Sequence, residues 1–259
     1  MYFESHAHYD QPAFDDDRDI LLGNILPSAG ISHIINIGSS MTSSRRCVDL
    51  TARFDYVYAS VGVHPHNAND MADDDLEELA QMAAHPKITA IGEIGLDFHY
   101  DFSPRDVQRR RFANQLELAA QLAMPVIIHS READDEVYEI IRAHSSRLVG
   151  GVIHCFPGDL VLARKYVEMG FLIGISGIVT YKNAAITQDT ARGLPLSAIL
   201  LETDCPYLSP IPNRGKRNDS RNLAYIAQMI AQLRGISADE VAEETAENAK
   251  RLFNIPNTF

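Results

Sequence analysis

Tyr2-Phe3-Glu4-Ser5-His6-Ala7-His8-Tyr9-Asp10 decides how the rest of the chain is understood. Its apolar start and alternating pattern predict a strand. In a strand, residues two apart share a face, so His6 and His8 project the same way. Two imidazoles side by side are half of a metal site. The remaining ligands have to come from elsewhere in the chain, and the fold has to bring them to this strand's C-terminal end.

Working outward, short apolar runs alternate with amphipathic ones. Strands are expected at Ile31–Gly38, Tyr56–Val63, Ile88–Gly92 (closing on Glu93), Met124–Ile128, Leu148–Ile153, Phe171–Ile175 and Ala198–Leu201. Between them the 3.6-residue period predicts a short helix after Asp15 that stops near Pro27 and Gly30. Further helices are expected at Thr42–Phe54, Asp73–Ala84, Arg105–Ala123, Arg131–Ser145, Leu160–Met169 and Ala184–Gly193, with two more at Asn222–Arg234 and Ala238–Leu252. After Glu93 a loop rich in Asp and aromatics is expected. Strand ends recur roughly every 30 residues, the length of a βαβ unit, and the strands are apolar enough to be covered on both faces. Eight such units in 259 residues have the size of an α/β (β/α)8 TIM barrel, taken here as one domain over residues 1–259. A doubly wound open sheet is the competing architecture.

In a barrel the chemistry gathers at the C-terminal ends of the strands. His6, His8, His64, Glu93, His129, His154 and Asp204 all fall at such ends. His33 begins a strand, and His85 and His144 close helices; these three are expected to be surface residues. Ligand-type residues collected on one rim point to a metal site with two ions.

Bulk properties narrow the partners. A net charge of −12 disfavours a surface that coats duplex DNA, which needs many cationic contacts, though not an enzyme that grips one strand end. Three widely spaced cysteines suit reduced thiols. With neither a secretory signal nor a membrane-length apolar run in evidence, a cytoplasmic protein away from membranes is expected, as a monomer or weak oligomer.

The stretches Glu4-Ser-His6-Ala-His8, Gly62-Val-His64-Pro65, Gly92-Glu93-Ile-Gly95-Leu-Asp97, Ile128-His129-Ser-Arg131, Ile153-His154-Cys-Phe156 and Leu201-Glu202-Thr203-Asp204-Cys-Pro206-Tyr-Leu208 resemble the signature blocks of the TatD family. These are metal-dependent hydrolases, mostly described as deoxyribonucleases, within the amidohydrolase-like barrels. The resemblance spans nearly the whole chain in the family's order. Glu4 stands where the family commonly has Asp, and Cys205 where a small residue is usual. The resemblance implies that His6, His8 and Glu93, completed by Asp204, hold one divalent ion, and that Glu93, His129 and His154 hold a second, with Glu93 bridging. Asp204 would also accept the proton of the attacking water. Two ions ~3.5–4 Å apart can clamp the attacking and leaving oxygens of a displacement.

His64, Arg131, and the loop carrying Arg214, Lys216 and Arg217 are candidates for substrate phosphates. Arg109-Arg110-Arg111 is expected on a solvated helix face, and Cys155 and Cys205 as packing residues. Imidazole-rich ligation suits Zn, Mn, Fe or Ni, while family descriptions often invoke Mg. The expected activity is cleavage of DNA, as single strands or at ends. Ester or amide hydrolysis on the same site, such as D-aminoacyl-tRNA deacylation, and a non-catalytic metal-holding protein remain the alternatives.

Overall fold

A computed structural model describes residues 1–256. The apolar runs become eight strands: β1 Tyr2–Ala7, β2 Ile31–Ile37, β3 Val57–Val61, β4 Ile88–Asp97, β5 Val126–Arg131, β6 Gly151–Ile153, β7 Phe171–Ile175 and β8 Ile199–Leu201. They are parallel and pair in sequence order. The ring closes where Ala7 bridges Cys205, with His8 N donating to Cys205 O and Asp204 N to His6 O, each at 2.9 Å. The fold is therefore a TIM barrel.

The amphipathic runs become the outer helices: α1 Met41–Arg53, α2 Asp75–Ala83, α3 Arg105–Leu122, α4 Asp134–His144, α5 Leu160–Glu168, α6 Ala185–Gly193, α7 Leu223–Arg234 and α8 Ala238–Phe253. Ser40, Asp159 and Ser237 cap the N-termini of α1, α5 and α8 by accepting from Ser43 N, Leu162 N and Glu240 N.

Two apolar clusters separate the faces of the strands. The larger joins Ile34, Val61, Ile91, Ile94, Ile128, Ile153, Ile173 and Leu201 to helix residues such as Leu50, Phe112, Ile141 and Ile230. The smaller takes Phe3, Ile35, Ile37, Ala90, Ile127, Val152 and Leu200, with Tyr58 and Leu172 packed against it. Drawing on every strand of the ring, this second set fills the barrel's lumen. Phe253 stacks on Phe3 there with ring centroids 6.3 Å apart. Truncating one of these residues, Ile127→Ala for example, would cost about 2–5 kcal/mol.

Several boundaries differ from expectation. β4 runs on to Asp97, so the loop begins later than its composition suggests. Its far half pairs with β5, Gly95 against His129 and Asp97 against Arg131. Gly95 lies at φ +147°, and a Cβ there would sit 1.9 Å from His129 O, so only glycine lets the two backbones approach. Arg131 is accordingly the last residue of β5 and not a helix start. β6 is shorter than expected. The first crossover ends at Ser28, between Pro27 and Gly30 as expected, but passes through a π turn at Leu21–Ile25 on the way. Arg111 is buried, its guanidinium bonded to Asp73 and Met71 O, and not on a solvated face.

Candidate metal centre

Most of the site is placed by simple counting. Val152 and His154, Ile127 and His129, and Leu200, Glu202 and Asp204 are separated by even steps, so each polar residue follows an inward-facing apolar one to the same side of its strand. His64 is an even step from Tyr58. Glu93 and His6 break the rule, lying three residues beyond Ala90 and Phe3. The pairing explains them. Between Ile91↔Val126 and Ile94↔Ile128, two residues of β4 oppose one of β5, and between Glu4↔Ile34 and Ala7↔Asn36, two of β1 oppose one of β2. These are β-bulges, which re-aim side chains beside functional sites.

At the mouth, His6 Nε2 and His8 Nε2 are 3.2 Å apart. His6 Nε2 stands 3.5 Å from Glu93 Oε2 and 3.8 Å from Asp204 Oδ1, and the corresponding distances for His8 Nε2 are 3.8 and 3.4 Å. Donors 2.0–2.2 Å from one tetrahedral ion must stand about 3.3–3.6 Å from each other. The observed separations, 3.2 to 3.8 Å, straddle that spacing, so shifts of a few tenths of an ångström would bring these atoms to it.

The other oxygen of Glu93 faces a second group. Oε1 lies 2.9 Å from His129 Nδ1, 3.6 Å from His64 Nε2 and 3.7 Å from His154 Nε2. His64 thus comes as close to Glu93 as His154 does, and clusters with Glu93 and His129 as a possible ligand set. One carboxylate faces two donor groups, one through each oxygen.

Buried acids back the imidazoles. Glu202 accepts from Cys155 N and lies 3.1 Å from His154 Nδ1, though too oblique for a hydrogen bond. Gly174 leaves it room, since a Cβ there would sit 2.3 Å from Glu202 Oε2. Asp97 Oδ2 stands 2.8 Å from His66 Nε2 and 3.3 Å from His129 Nε2. Glu4 accepts from Thr203 N at 2.8 Å and His6 N at 3.2 Å, which ties β1 to the turn carrying Asp204. Glu202, Asp97 and His66 were not singled out from sequence, although Glu202 and Asp97 lie an even step from Asp204 and Glu93.

Burial favours neutral Glu93, but the surrounding imidazoles outweigh it and hold the carboxyl well below its usual range. Asp204 is also lowered, against its burial, by His8 and the other rings. Burial likewise opposes charge on His8 and His154, yet Asp204 raises the first to about 9, and Glu202 and Glu93 raise the second to about 10. His6 and His64 are lowered by burial. Protons on His8 and His154 therefore occupy places that suit cations, while Nδ1 of His6 and of His154 has no hydrogen-bond partner. The donor set fits divalent metal.

Of the candidates for substrate phosphates, His64 joins this cluster, while the basic residues make other contacts. Arg131 Cζ lies 4.7 Å from the Tyr100 ring centroid and Arg214 Cζ 4.5 Å from that of Tyr181. Lys216 is exposed. Arg217 is diverted into an ion pair with Asp17 and lies over Phe14. Cys205 is buried and Cys155 half-buried, and burial pushes both thiols up.

The model of the family described as TatD related DNase matches residues 3–254. The chain belongs to the TatD family. It is 38% identical to the uncharacterized metal-dependent hydrolase YabD of Bacillus subtilis, over 98% of this chain and all of that one. It is 34% identical to the 3'-5' ssDNA/RNA exonuclease TatD of Erwinia tasmaniensis, again over 98% of this chain and 100% of the other. The crystal structure of YJJV, a TatD homologue from Escherichia coli, superposes with a TM-score of 0.91 at 33% identity, covering 98% of each chain. The chain is thus a TatD-type metal-dependent hydrolase. Among the described residues, no helix is long and apolar enough to cross a membrane.

Proposed function

We propose that this chain hydrolyses phosphodiester bonds in single-stranded nucleic acid, at or near strand ends, with divalent cations that the donor groups on either side of Glu93 would hold. The observation that carries the reading is the double aspect of Glu93, with Oε2 toward His6 and His8 and Oε1 toward His129, His64 and His154. Bound divalent cations would supply Lewis acidity and lower the pKa of an attacking water.

The chain's own groups do the rest. Asp204 is ionised at neutral pH, and its side chain, 14% exposed, is the more open of the two site carboxylates. It accepts the proton of the incoming water. Asp97 fixes the rings of His129 and His66, and Glu202 stands 3.1 Å from His154 Nδ1 as a counter-charge. Arg131 and Arg214, which lie over aromatic rings and have no carboxylate within ion-pair distance among the described residues, support phosphate over a carbonyl substrate in a chain of net charge −12. The printed activity of the Erwinia relative supports the same choice.

The test is digestion of end-labelled single-stranded DNA and RNA by protein prepared without metal, then supplied with Zn, Mn, Ni or Mg. Shortening from one end, abolished by chelator, is expected. Intact strands alongside deacylated aminoacyl-RNA would replace this reading with ester hydrolysis. Tight metal uptake with no turnover on either substrate would leave only a metal-holding protein.

A further inference from the structure

Tyr100 and Phe102 stand exposed on the loop that follows β4. Tyr100 is 46% and Phe102 67% exposed, and neither joins an apolar cluster. Their rings nevertheless stack on each other, with centroids 5.2 Å apart and planes at 16°. Tyr207, 52% exposed after β8, is a further exposed ring at the mouth, edge-on to His8 at 6.3 Å, but it has no second ring stacked on it.

The loop that carries the pair is braced. Asp97 Oδ1 accepts from His99 N and Tyr100 N at 3.0 and 2.9 Å. Ser103 Oγ donates to His66 O, and its own carbonyl accepts from Gln108 Nε2. His66 meets the Tyr100 and Phe102 rings edge-on at 5.4 and 4.8 Å, and Asp97 links His66 to His129. The aromatic step is thus fixed relative to the site.

The cation over it is also unusual. Six arginines lie over aromatic rings, and Arg53, Arg105, Arg109 and Arg217 are each bound to a carboxylate as well. Arg131 and Arg214 are the two without such a partner among the described residues; Arg131 ends β5, and Arg214 lies in the segment that follows β8.

We infer that Tyr100 and Phe102 form a stacking step for one unpaired nucleobase of a single-stranded substrate, with Arg131 holding the neighbouring phosphate. This rests on the nucleic-acid reading above and adds to it the feature that selects unpaired strands. Rings accept any base by its π face; Arg131 lies over Tyr100, whose ring stacks on Phe102, so the base would add to the pair at Phe102 while the guanidinium meets the adjoining backbone. A base inside a duplex has both faces covered and cannot reach the step.

The chain has no tryptophan, so Phe102→Trp places a single indole at the step. Stopped-flow fluorescence of the metal-loaded variant should show quenching on mixing with a short oligodeoxyadenylate. Little should occur with the same sugar–phosphate strand lacking bases, or with a blunt duplex. Equal quenching by the abasic strand, or none by any strand, would overturn the inference. Where turnover is present, the Tyr100→Ala/Phe102→Ala double variant should raise KM for the single strand roughly 5- to 100-fold with kcat nearly kept. Its KM for the abasic strand should match that of the unaltered protein. Unchanged KM on the normal strand would count against the step even if digestion itself is confirmed. Quenching without digestion in any metal would instead sink the nuclease reading and leave the stacking step standing.

Discussion

β5 and β4 bring ligands to the same pair of donor groups by different means. In β5 the alternation of an ordinary strand is enough: Ile127 fills the lumen, Ile128 packs outward, and His129 comes round to the mouth. In β4 the count from Ala90 to Glu93 is odd, and only the extra residue opposite Ile127 turns the carboxylate inward. β1 repeats the second device at Ser5 and His6. The two bulged strands supply His6, His8 and Glu93, whose facing atoms stand 3.2 to 3.8 Å apart, close to the spacing one tetrahedral ion needs. A regular strand fixes direction in steps of two residues, whereas a bulge sets height and direction together.

The comparison breaks most visibly under deletion. Removing Ile128 from β5 throws His129 outward and exchanges the two faces of the rest of the strand. That variant is expected to be insoluble or unfolded by circular dichroism. Removing Gly92 restores regular pairing between Ile91 and Ile94, so the barrel should fold. Glu93 then still faces the lumen, lower by as much as ~3.3 Å, one strand residue. Metal sites tolerate errors of about 0.2 Å, so metal content and turnover should both fall to background in this folded variant. An unfolded Gly92 deletion, or one that keeps its metals, would show that the bulge is not what positions Glu93.

Asp204 lies on the even-step side of the comparison but ends in an unusual backbone state, φ +56°, which Asp tolerates better than most residues. Asp204→Asn preserves shape and hydrogen-bonding atoms while removing the proton acceptor. It should keep the fold and part of the metal and lose at least ~100-fold in kcat. Near-normal turnover would take Asp204 out of the proton transfer.

Behind the same strand, Glu202→Gln should weaken metal binding ~10- to 100-fold, the usual effect of losing a group that orients a ligand. Titration with a chromophoric chelator measures this. An equal loss of affinity in Asp97→Asn, behind His129, would sharpen the view that both imidazoles on regular strands depend on buried acids.

The contrast between strands also explains what could be seen in the sequence. The eight strands, the barrel and the rim of histidines were legible because apolar alternation and strand-end position are local properties. The bulges were not, since an extra residue is defined only against the neighbouring strand. Without them β4 seemed to stop at Gly92 and Asp97 fell into a loop. Arg217 and Arg111 were misplaced for a related reason: Asp17 is 200 residues from Arg217 and Asp73 38 from Arg111, and nothing local announces either partner. Glu202 went unremarked beside Asp204 because a buried acid behind a ligand carries no spacing signature of its own.

The smallest effect concerns protons, and it sets His8, which follows bulged β1, against His154 after regular β6. Both are raised in the metal-free chain, to about 9 and about 10. In the unfolded chain each titrates near 6.5. The folded state therefore binds more protons between pH 6.5 and 10, so their stabilising contribution is complete below that window and is lost as pH rises through it. Metal-free protein should lose Tm as pH rises across this range, while metal-loaded protein, with neutral imidazoles on the ions, should not. Adding metal at pH 7 should release protons, read with an indicator dye in weak buffer. His8→Gln and His154→Gln should each lower that release. If only one of them does, its imidazole alone stands in for a cation in the empty site, and the two strands differ in charge as well as in backbone.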